Sequence, residues 1–88
     1  MCTMIAVSAA VRGSGKGTAG WFPLNKVNVG YDHATHGETE HALLVDFVNG
    51  DMGPSARVAV ELDIASGKAL IEQLQAAIEA AEQSGVAE

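Results

Sequence analysis

The chain has 88 residues, with eleven Asp and Glu against five Lys and Arg, three histidines and a single cysteine, for a net charge of −6. A chain this short buries only about 60 to 65% of the surface that its unfolded form exposes, so residues 1–88 make a single domain that leans on a second subunit or a bound ion. The acidic balance excludes recognition of nucleic acid or of an anionic membrane through clustered cations, and one cysteine excludes an internal disulfide.

Residues 4–11 are apolar, short and rich in small or β-branched types, which predicts a first strand. The stretch has neither the basic flank nor the length of a signal peptide or a membrane-spanning helix, so the expected location is cytoplasmic. Gly13, Gly15, Gly17 and Gly20 then read as a loop, and Trp21, Phe22 and Leu24 around Pro23 as an extended anchor outside any regular element. In residues 26–33, Val27, Val29, Tyr31 and His33 alternate with polar residues or glycine, the pattern of a half-buried strand. A third strand over 41–48 places His41, Leu43, Val45 and Phe47 on one parity. Turn chemistry from Asn49 to Ser55 leads to a fourth strand over 56–62, where Ala56, Val58, Val60 and Leu62 share a side.

After Leu62 the period changes from two to about 3.6 residues. Leu70, Ile71, Leu74, Ala77, Ile78 and Ala81 form one stripe of a helix over 64–83, with Asp63 as its N-cap and Gly85 at its end. The predicted fold is therefore α+β: a four-stranded, mostly antiparallel sheet followed by one amphipathic C-terminal helix. One helix cannot cover four strands, so the remaining apolar surface is expected to pack against a second copy in a homodimer.

All three histidines fall between positions 33 and 41. Pairing 27–33 antiparallel with 41–47 sets His33 opposite His41, Tyr31 opposite Leu43, Val29 opposite Val45 and Val27 opposite Phe47. Opposed residues have Cβ atoms about 4.5 to 5.5 Å apart, near enough for two imidazoles to share one ion, and His36 can fold back as a third ligand. Neutral imidazoles suit a divalent transition metal, zinc above all, and three ligands leave a position open for chemistry. Asp32, Glu38 and Glu40 in the same segment are candidate ligands or acceptors that fix the imidazole tautomers, with Glu40 or Asp32 supporting acid/base work. The competing readings are acid/base histidines without a metal, and ordinary loop histidines bonded to Asp32 and Glu40.

Two further features carry chemistry. Removal of Met1 would leave Cys2 with a free α-amine beside its thiol, suited to chelation or to nucleophilic transfer of sulfur or an acyl group; a small buried hydrophobe is the alternative. The run from Gly13 to Thr18 looks like the end of a phosphate-binding loop, but Ala10 stands where the first glycine belongs and no helix follows. What survives is a flexible loop in which Gly15 and Lys16 can hold a phosphate such as that of pyridoxal phosphate, with Lys16 available for a Schiff base.

Together, the Met1-Cys2-Thr3 start, Gly20-Trp21-Phe22-Pro23-Leu24, Tyr31-Asp32-His33-Ala34-Thr35-His36 with Glu40-His41, Asp46-Phe47, and the ten residues from Gly53 to Leu62 resemble a family of small actinobacterial proteins known as a domain of unknown function. The resemblance covers nearly the whole chain and marks Cys2, Tyr31, Asp32, His33, His36, Glu40 and His41 as positions that match its pattern; Tyr31 joins the catalytic candidates on this ground. Three expectations follow. The first is a small metal-binding enzyme or accessory protein of bacterial secondary metabolism, acting on a small molecule through His33, His36 and His41. The second is a sulfur-transfer protein using Cys2, with pyridoxal phosphate near Lys16. The third is a homodimeric ligand-binding module without turnover.

Overall fold

The computed structural model describes residues 5–34, 36, 40–86 and 88. The order is β1 (Ile5–Gly17), β2 (Gly20–His33), β3 (His41–Val48), a single 3₁₀ turn (Gly50–Met52), β4 (Arg57–Leu62) and α1 (Ile64–Ser84). The strands form one antiparallel sheet in chain order, β1-β2-β3-β4, as the alternating segments predict. Three rows of directly paired residues cross the ladder: Ile5–Tyr31–Leu43–Leu62, Val7–Val29–Val45–Val60 and Ala9–Val27–Phe47–Val58. Successive strand residues point to opposite sides, so these rows make one apolar face. The alternate rows, such as Ser8–Asn28–Asp46–Ala59, make a mixed face, where Arg57 holds Asp46 through Nη2 at 2.9 Å.

β1 and β2 are longer than the hydropathy pattern predicts. The glycine run is paired strand and the Trp-Phe-Pro segment lies within β2, the two joined by a two-residue turn at Thr18 and Ala19. Packing explains the glycines. A Cβ on Gly15 would lie 3.1 Å from Leu24 Cδ2 and 3.3 Å from Val58 Cγ2, and one on Gly17 would lie 3.1 Å from the Phe22 ring. Their missing side chains admit large neighbours, so the alternation that identifies a strand is carried by only one partner of each pair. The ladder steps from Ala10–Lys26 to Gly13–Leu24, leaving Val11 and Arg12 opposite the single Asn25. Such a bulge bends a strand, and beyond it β1 comes over β4, curling the sheet at this end.

Phe22 and Ala56 are buried, and Asn49 is buried with them. Its amide Nδ2 donates to the Pro23 carbonyl at 2.9 Å, while its Oδ1 accepts from Asp51 N–H and from Asn25 Nδ2. Pro23 sits where β2 has run past β3, and Asn49 supplies the donor that a neighbouring strand would have given. The other end of the sheet is open.

α1 begins where predicted. Asp63 is its N-cap, the carboxylate accepting from Ser66 N–H at 2.7 Å, and Gly85, at φ 77°, ends it in the left-handed conformation that glycine adopts without steric cost. Its first turn docks on the apolar face: Gly67 is buried, and a Cβ there would overlap Leu43 Cδ1. Past that turn the stripe stays in solvent, with Leu70, Ile71, Leu74 and Ile78 each 45 to 63% exposed.

Candidate functional site

At the open end of the β2–β3 ladder, His33 and His41 are direct partners, the register that the like-with-like pairing predicts. Their rings lie with centroids 4.4 Å apart. Both extend the apolar face to its rim, and Tyr31, one step inside, stacks on His41 at 5.8 Å. A backbone bond from Ala34 N–H to the Glu40 carbonyl, 3.0 Å, closes the connection between the strands and holds Glu40 beside the pair. One ligand atom each from His33, Glu40 and His41 lie within 4.8 Å of one another. Glu40 and His33 are exposed and His41 is half-buried, so the group opens to solvent on one side.

The other candidates fall elsewhere. His36 meets Glu61: its backbone N–H donates to Oε1 at 2.9 Å and its Nδ1 lies 3.7 Å from Oε2. Glu61 pairs with Leu44 and so belongs to the mixed face, opposite that of His33 and His41. Asp32 is also on the mixed face, where its Oδ1 accepts from the backbone N–H of His33 at 2.7 Å and its side lines an open groove of about 350 Å³ with Ser8, Asn28, Gly30 and Asp46. Of the two acidic candidates among the described residues, Asp32 and Glu40, it is Glu40 that joins the imidazoles. Glu61 was invisible to spacing, since it lies twenty-five positions from its histidine.

Lys16 pairs with Trp21 across the β1–β2 ladder, and both border a shallow concavity of about 270 Å³ with Leu24, Phe47 and Val58. Lys16 and Gly15 are therefore on strand rather than in an open glycine loop. Cys2 and Glu38 lie outside the described residues.

A family of unknown function, DUF6295, matches residues 1–87. The chain belongs to that family. The matched span takes in every strand of this chain, α1, and both His33 and His41. No curated protein and no solved structure matches the chain. No helix among the described residues is long and apolar enough to cross a membrane.

Proposed function

We propose that the chain is a small metal-binding protein in which His33, His41 and Glu40 hold a divalent transition metal, zinc first among them. The convergence of the three ligand atoms within 4.8 Å carries this reading. Ligands on one tetrahedral zinc, at about 2.0 to 2.1 Å from the ion, are about 3.3 Å from each other, so closing the group takes a shift of roughly 1.5 Å at most. The exposed side chains of His33 and Glu40 make that shift by small rotations toward His41, while the ladder fixes the two histidine backbones. Two neutral nitrogens and one carboxylate oxygen are a donor set suited to zinc. With three protein ligands, such a site keeps a position open for water or a small-molecule substrate, whose acidity or electrophilicity the ion raises. The acidic side chains of this segment favour a cation, and Tyr31 stacked on His41 holds one ring in place.

Protein purified without an affinity tag is expected to take up one equivalent of zinc, measured by elemental analysis and titration calorimetry. His33→Ala and His41→Ala should each abolish uptake, Glu40→Gln should weaken it at least about tenfold, and His36→Ala should leave it intact. Absence of uptake by the wild-type chain, or loss with His36→Ala equal to that with His33→Ala, would overturn the assignment.

A further inference from the structure

α1 and the sheet each leave an apolar surface bare, and the two are complementary. On the helix, the exposed stripe runs through Leu70, Ile71, Leu74 and Ile78, and the shallow groove along it is bordered by α1 residues alone. On the sheet, Ile5 is 52%, Val7 63% and Val60 37% exposed, all on the apolar face. A helix of 21 residues whose apolar stripe stays in water has lost the packing from which most helical stability comes.

The missing contact can be sized. A compact 9.1 kDa protein exposes about 4,900 Å², whereas this chain exposes 6830 Å². The excess, about 1,900 Å², is more than twice the roughly 800 Å² that each partner gives to a standard interface, and it falls within the range of obligate homodimers. Each copy offers one uncovered helix and one uncovered sheet face, so two copies satisfy each other in an isologous, closed arrangement. We infer that the chain forms a homodimer by reciprocal exchange, the first turn of α1 staying on its own Leu43 while the stripe from Leu70 to Ile78 packs on the apolar sheet face of the second copy. This does not depend on the metal reading.

Sedimentation equilibrium at micromolar concentration should give twice the chain mass. Leu74→Glu with Ile78→Glu should abolish the dimer, and Ala76→Lys, on the opposite side of α1, should leave it unchanged. A benzophenone side chain placed at Leu74 in a mixed ¹⁴N/¹⁵N dimer identifies the occupant. Photo-adducts are expected between chains of different isotope, on β1 to β4 residues of the apolar face. A monomeric wild type, adducts confined to one isotope, or adducts joining helix to helix would each overturn the proposal, as would a dimer that survives the double glutamate variant. Zinc uptake measured on the same samples separates failure here from failure of the metal site.

Discussion

Asn49 shows how much one polar side chain can organise in a chain with so little interior. Among the described residues only Phe22, Ala42 and Ala56 are buried apolar side chains, whereas Asn49 joins β2 to the β3–β4 connection through three hydrogen bonds. Asn49→Ala strips a donor from the Pro23 carbonyl and an acceptor from two N–H groups, a loss worth about 1 to 3 kcal/mol when the groups left behind are shielded from water. Urea unfolding should show that decrease at an unchanged slope; a variant within experimental error of wild type would mean that water replaces the amide at no cost. The histidine pair was legible at this scale because period-two alternation fixes a register, and Val27, Val29, Tyr31 and His33 each found the partner that the pattern assigned. His36 was not legible: its partner Glu61 is on β4, and no local spacing encodes a contact across the sheet.

At the scale of elements, α1 was readable to its caps and the glycine-rich half of β1 was not. Asp63 and Gly85 act through their own backbone neighbourhoods, which the sequence states directly. Gly15 and Gly17 act through the volume they leave to Leu24, Val58 and Phe22, so they look like a loop until their neighbours are known. The cap also has a pH signature. The Asp63 carboxyl is held below its usual range by Ser66, through its side chain and then its backbone N–H. A folded-state pKa below the unfolded value stabilises the fold above the unfolded value and loses that effect as pH falls through the folded one. Asp63→Ala should therefore melt at a lower temperature than wild type at neutral pH, with the gap closing below about pH 4. A gap that persists unchanged in acid would assign the effect to something other than the carboxylate.

For the whole molecule, the radius of gyration is 14.8 Å, against about 12 Å for a compact chain of this length. The expectation that one helix leaves sheet uncovered was sound in kind; its extent was hidden, because an amphipathic stripe shows which side of a helix is apolar and not how much of its length lies on the sheet. If association completes the fold, stability becomes linked to concentration. The melting temperature should rise steadily across about a hundredfold range of protein concentration, and a constant value would show that a single chain is stable alone.

The bulge in β1 has a bearing on solubility. β1 is an open edge of the sheet, thirteen residues long and mostly exposed, the kind of edge onto which further strands add without limit. The irregularity at Val11 and Arg12 interrupts its hydrogen-bonding template midway, and Arg12 and Lys16 place two of the chain's five cationic side chains along it, while Arg57 puts a third on the opposite edge strand, β4. Both edge strands thus carry features that discourage strand addition and fibre growth, so that if copies of this acidic chain associate, the bare apolar faces and not the strand edges are the surfaces that favour it.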